Sequence, residues 1–146
     1  MIFAMDPGSE KTGIALVEDD GTLHRKAVVP TADLQKSVGE YLDEGAVSAF
    51  VMGNGTHHKE IRARMEAFLR ERGSSLPVSL VNEKYTTEMG EQRYKKDHPP
   101  KGLARFLPSG MRTVSEPVDD YVAWIIGEIY LGTVKAEAVG HRKDLK

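Results

Sequence analysis

Three acidic positions sit where a chain usually changes element, and their types suit one kind of chemistry. Asp6 closes an apolar run and is followed at once by Pro7-Gly8-Ser9. Glu83 follows the apolar pair Leu80-Val81 by two residues. Asp119 and Asp120 come just after Pro117 and open a second apolar stretch. Carboxylates gathered at one place repel one another unless positive charge lies between them. A hard divalent cation, Mg²⁺ or Mn²⁺, supplies that charge and accepts oxygen ligands from carboxylates, waters and phosphates. Two such ions about 3.5–4 Å apart activate a water and stabilise the leaving oxygen of a phosphodiester. Asp6, Glu83 and Asp119 are therefore the candidate metal ligands and catalytic residues.

Each acid also has an ordinary explanation when taken alone. Aspartate starts turns, Glu83 suits the start of the helix after it, and acids in a first helical turn favour the dipole. The case rests on the three together. Asp119 and Asp120 separate by helical geometry. Asp119 shares a face with Val122, Ala123 and Ile126, at i+3, i+4 and i+7, so it points with the buried side toward the sheet. Asp120 is turned about 100° away.

The elements that must position these acids are legible from hydrophobic period. Residues 1–5, 12–17 and 22–29 read as strands, the last two joined by the Asp19-Asp20-Gly21 turn. His24, Arg25 and Lys26 make the third strand polar and place it at an edge. From Thr31 the period becomes helical, with Leu34, Val38, Tyr41 and Leu42 on one face and Gly45 closing the helix. Residues 46–52 read as a strand buried on both faces. The tight loop Gly53-Asn54-Gly55-Thr56 leads into a helix with Ile61, Met65, Phe68 and Leu69 inward, ended by Gly73. Residues 77–81 form a fifth strand. Thr86-Thr87 reads as the cap of a short helix to about Lys95. The Pro- and Gly-rich residues 97–115 read as an irregular loop. Pro117 suits the first turn of a last helix, with Val122, Ile125, Ile126 and Ile129 inward. Three strands followed by helix, strand, helix, strand, helix predict a mixed five-stranded sheet with helices on both faces. Strands one, four and five are then parallel, and their carboxyl ends line the crevice where ligands bind. The order resembles the ribonuclease H-like arrangement. Residues 1–132 make one domain, and 133–146 a polar tail.

The residues themselves resemble the YqgF/RuvX family, which is similar in fold to the RuvC junction resolvases. Its opening pattern corresponds to Asp6, Gly8, Lys11 and Gly13; its second to Asn82-Glu83-Lys84-Tyr85-Thr86-Thr87; its third to Val118-Asp119 with Ala123, Ile125-Ile126, Glu128 and Tyr130-Leu131. Lys11 and Lys84 stand where the family has arginines, and Asn82 where it has an aspartate. Gly53-Asn54-Gly55-Thr56 is closer to the same loop in the YqgF-like domain of the transcription accessory protein Tex. The resemblance implies a metal-dependent nuclease that trims the precursor of 16S ribosomal RNA. A junction resolvase acting on DNA is the alternative. In this reading Asp6, Glu83 and Asp119 hold the metal, and Lys11, Lys84, Lys101 and Arg105 hold phosphates.

Bulk composition narrows the field without deciding it. The 146 residues are 40% hydrophobic and 29% charged, with net charge −2 and no cysteine. That excludes disulfides and thiolate metal sites. No apolar run is long enough for a membrane span, and no stretch reads as a secretion signal, so a cytoplasmic protein is expected. Residues 93–112 hold six basic side chains against the single acid Asp97. A basic loop on an acidic body suggests an anionic partner, RNA or DNA. A monomer and a homodimer are both open. His57, His58 and His98 read as surface residues. Two rival classes remain: an actin-like ATPase, whose phosphate loop Asp6-Pro7-Gly8-Ser9 resembles, though such enzymes need two lobes; and a nucleic-acid-binding module without catalysis.

Overall fold

The computed structural model describes residues 1–55, 57–99 and 117–134. Continuous apolar runs make β1 (Ile2–Asp6) and β2 (Lys11–Val17), and a more polar run makes β3 (Leu23–Pro30). They pair as an antiparallel meander, β1 with β2 and β2 with β3. The turn between β2 and β3 is set by chemistry: Gly21 takes φ +92°, and Asp20 Oδ1 accepts the Thr22 N–H at 2.9 Å.

A single 3₁₀ turn (Thr31–Asp33) leads into α1 (Leu34–Leu42). Then follow β4 (Ala49–Gly53), α2 (His58–Glu71), β5 (Val78–Val81), α3 (Thr86–Asp97) and α4 (Asp119–Leu131). The sheet order is β3-β2-β1-β4-β5, with β1, β4 and β5 mutually parallel and β3 at one edge. The chain is thus α/β, a five-stranded mixed sheet with helices on both faces. Among the described residues no helix is long and apolar enough to cross a membrane.

The period-2 alternation of β1 divides the core in two. Phe3 and Met5 pack with Ile14 and Leu16 against Leu34, Val38 and Tyr41 of α1 and Ile61, Met65 and Leu69 of α2. Ile2 and Ala4 pack with Ala15, Val17, Val51 and Val81 against Val122, Ala123 and Ile126 of α4. Each large side chain so enclosed contributes roughly 1.5–3 kcal/mol. Asp6 continues the Ile2–Ala4 parity, so its place is on the α4 face.

Several boundaries differ from the sequence reading. β4 starts at Ala49 rather than 46, because β1 offers no ladder partner before the Ile2–Ala49 pair. α3 begins at Thr86 after Tyr85, which adopts φ +70° and makes no side-chain cap. Thr86 is inside the helix, and its hydroxyl donates back to the Glu83 carbonyl at 2.6 Å. That helix continues to Asp97. Pro117 precedes the N-cap residue Val118 and so stands outside α4, leaving the first turn to Asp119 and Asp120. Ile129 is only half-buried, whereas Ala123, Ile125 and Ile126 are fully enclosed.

Candidate active site

The carboxyl end of the sheet carries a row in which Asp6 stands between two glycines. Asp6 pairs directly with Gly13 of β2. On its other side β4 runs parallel, one residue beyond the Met5–Met52 pair, and offers Gly53. Ala15, Val51 and Val81 lie on the α4 face, so by parity Gly13 and Gly53 do too, and the Glu83 carboxylate lies over Gly53 on that same face. A strand residue with a Cβ at either glycine would close the space around Asp6. Both gaps are filled by acidic segments arriving from elsewhere.

The gap at Gly13 is filled by the first turn of α4. A Cβ on Gly13 would overlap the backbone carbonyl of Asp119. The helix N-terminus therefore rests on the sheet itself and brings the Asp119 carboxyl up to Asp6. The gap at Gly53 is filled by Glu83. β5 lies two strands from β1, about 10 Å between backbones, so a direct approach to Asp6 is too long for an ordinary neighbour. A Cβ on Gly53 would overlap Glu83 Oε2, and one on Gly55 would overlap Oε1. The glutamate thus crosses the end of β4 through a cradle of two glycines and comes up to Asp6. Asn54, between them, donates its backbone N–H to the Val81 carbonyl at 3.1 Å and accepts the Glu83 N–H on Oδ1 at 3.1 Å.

Electrostatics follow from this crowding. Burial, then the charges of Glu83 and Asp119, then hydrogen bonds that the protonated Asp6 donates to both push its carboxyl up from 3.8 to about 8. Burial also raises Glu83, opposed by its bond to Asp6 and by the nearby His58. Burial and the neighbouring Asp120 raise Asp119, opposed by Lys11 and the Asp6 bond. Of the three carboxyls, Asp6 carries the large upward shift.

The sequence-predicted residues divide clearly. Asp6, Glu83 and Asp119 come together. Asp120 turns away and pairs with Lys26 at 2.6 Å, as helical geometry requires. Lys11 is exposed and close enough to favour the ionised form of Asp119. Lys84 is exposed, with Nζ 5.0 Å from the centre of the Tyr85 ring. Lys101 and Arg105 lie outside the described residues. Asn82 accepts the Lys84 N–H on Oδ1 at 3.0 Å and so shapes the turn after β5. Sequence reading missed Asn54 and His58. A glycine-flanked asparagine directly after a buried strand was the available signal for the first. The second had none.

Whether a cation suits the trio turns on Glu83 Oε2. That oxygen is buried and has no hydrogen-bond donor among the described residues. Among the described residues no lysine, arginine or histidine forms an ion pair with any of the three acids. Among the described residues no group of three acidic, histidine or cysteine side chains is arranged to hold a metal ion. The donor set fits a hard cation all the same. It is all oxygen and includes a buried carboxylate oxygen without a donor among the described residues, which a cation would satisfy.

No family model matches the chain, and no curated protein does. Among solved structures, it is similar to the crystal structure of a ROK family protein from Streptococcus pneumoniae TIGR4 in complex with sucrose, at 18% identity and a TM-score of 0.38. The match covers 67% of this chain and spans 38% of the length of that protein.

Proposed function

We propose that the chain is a divalent-metal-dependent nuclease of ribonuclease H-like fold that hydrolyses phosphodiester bonds in structured nucleic acid. The observation that carries the reading is the meeting of Asp6 with Glu83 and Asp119 at the carboxyl-end rim of parallel β1, β4 and β5. The motif resemblance makes trimming of the 16S ribosomal RNA precursor the first substrate to consider, and a branched DNA junction the second. A cytoplasmic location belongs to the same reading.

Asp6, Glu83 and Asp119 would hold Mg²⁺ or Mn²⁺, which supplies the positive charge for activating water and steadying the leaving oxygen. The chain's own residues do the rest. Asp6, kept neutral by burial and then by the charges of Glu83 and Asp119, would hold a cation as the carboxylate. Gly13 and Gly53 let the other two carboxylates reach it. Lys11, exposed beside Asp119, is placed to meet a phosphate, as a point charge rather than a bidentate clamp. Lys84 is exposed directly after Glu83 and offers a second such charge. Such contacts position a backbone without reading sequence.

The test offers the purified chain labelled RNA and DNA, linear and branched, with Mg²⁺ or Mn²⁺ and with chelator. Metal-dependent cleavage lost in Asp6→Asn supports the reading. A second reading, a binding module without catalysis, is favoured by the absence of a group arranged to hold a metal ion among the described residues. It predicts binding that survives chelation and no cleavage with either ion.

A further inference from the structure

The loop that cradles Glu83 is tied down at two points. Asn54 fastens it to β5 through the two bonds with Val81 and Glu83. Gly55 fastens it to α2 through His58, the first residue of that helix. Two donors of His58 converge on the Gly55 carbonyl: the backbone N–H at 3.1 Å and ring Nδ1 at 2.7 Å. A carbonyl only accepts, so the Nδ1 position carries the hydrogen. Starting the helix would need the backbone bond alone. The ring bond adds an orientation to the Gly55 peptide, and Gly55 is one of the two residues whose missing Cβ makes room for the Glu83 carboxylate.

We infer that His58 is a positioning residue of the acid site: through its Nδ1–H bond to the Gly55 carbonyl it fixes the glycine cradle and so sets how far Glu83 reaches toward Asp6. The inference rests on the reading of the trio as a metal site only for its functional consequence. The latch itself is a matter of the loop. The ring also lies near enough for its positive form to favour the Glu83 carboxylate, which agrees with that placement. Partners that orient ligating carboxylates typically matter by about 10–100-fold in metal affinity.

The experiment uses the whole chain with His58→Ala and His58→Asn. The asparagine amide N–H lies close to where Nδ1–H stood, so it keeps the latch and drops the rest of the ring. The first measurement is metal-free amide exchange. His58→Ala should speed exchange at the Asn54 and Glu83 amides by about tenfold and leave core strand amides unchanged. His58→Asn should restore protection. The second is Mn²⁺ affinity by calorimetry, which should fall about 10–100-fold in His58→Ala and recover in His58→Asn. Unchanged exchange at Asn54 and Glu83 in His58→Ala overturns the latch. Faster exchange without rescue by asparagine overturns the Nδ1–H assignment. A loosened loop whose Mn²⁺ affinity equals wild type overturns the link from His58 to Glu83's reach. A loosened, asparagine-rescued loop in a chain that binds no Mn²⁺ in any form keeps the latch and overturns the metal reading instead.

Discussion

Gly53 and Glu83 occupy one another's space: the volume that a Cβ on Gly53 would fill holds the Glu83 carboxylate oxygen Oε2. The relationship explains how an acid two strands away takes part in a site centred on β1. A glutamate is long enough to cross β4, and it can cross only where β4 has no side chain on that face.

Gly53→Ala should therefore act through Glu83. Mn²⁺ affinity and cleavage should each fall by about 10–100-fold. The double variant Gly53→Ala/Glu83→Ala should be no worse than Glu83→Ala, since the alanine then displaces nothing of use. Residues that share one interaction are non-additive in this way. Additive losses would assign the damage to Ile126 Cδ1, which a Cβ on Gly53 would also approach, at 2.9 Å.

The raised Asp6 carboxyl sets a pH dependence of stability. Its folded form titrates near 8 against 3.8 for an ordinary aspartate. Below about pH 4 both folded and unfolded chains hold the proton, and the stabilising contribution is complete. Between 4 and 8 the unfolded chain releases the proton while the folded chain keeps it, so stability falls as pH rises. The upper bound on that loss is on the order of 5 kcal/mol, with Glu83 and Asp119 pulling the same way. Denaturant melts of metal-free protein at pH 5 and pH 8 should show the decline, and Asp6→Asn should flatten it. A wild-type curve that rises over this window would mean the three carboxyls are not in contact.

Metal should reverse the decline. An ion that binds the folded chain alone at ~100 times its dissociation constant adds about 2.7 kcal/mol. Protons compete for the same oxygens, so the gain should be larger at pH 8 than at pH 5. Thermal melts with and without Mn²⁺, then with excess chelator, provide the comparison. A gain independent of pH, or one that persists in Asp6→Asn, would place the ion elsewhere.

The sheet was legible because its signals are local and redundant. The apolar runs of β1 and β2, the turn at Gly21 and the helical faces of α1 and α4 each follow from spacing alone. The separation of Asp119 from Asp120 was readable for the same reason, since one residue on a helix is a fixed rotation. What spacing could not show was contact between elements far apart in sequence. Gly13 read as part of a motif and Gly53 as part of a tight loop, but the space each leaves gains its meaning only when α4 and Glu83 arrive to fill it. Thr86 looked like a helix cap from composition, but the left-handed turn at Tyr85 moves the helix start and sends its hydroxyl back to Glu83. His58 lies two turns of reasoning away, because a histidine at a helix start has no pattern that points to a carbonyl three residues earlier.

The two adjacent acids of α4 provide the sharpest separation of chemistry from stability. Asp119 faces Asp6 and pairs with no cation among the described residues, whereas Asp120 is bound to Lys26 at 2.6 Å. Lys26 also sits over the Tyr121 ring, 3.9 Å from its centre. Both partners of the Lys26–Asp120 pair are largely shielded, so the pair joins β3 to the start of α4 under weak solvent screening. Asp120→Asn should cost about 1–2 kcal/mol in denaturant melts, because it leaves the ammonium half-buried without its counter-charge. Cleavage at saturating Mn²⁺ should stay near wild type. Asp119→Asn should do the opposite. It removes a carboxylate from a crowded trio, so metal-free stability at pH 8 should hold or rise, while cleavage and Mn²⁺ affinity should be lost. The two variants measured side by side form an internal control, since each should be normal in the assay where the other fails. A dead Asp120→Asn beside an active Asp119→Asn would move the site to the other face of the helix and remove Asp119 from the trio.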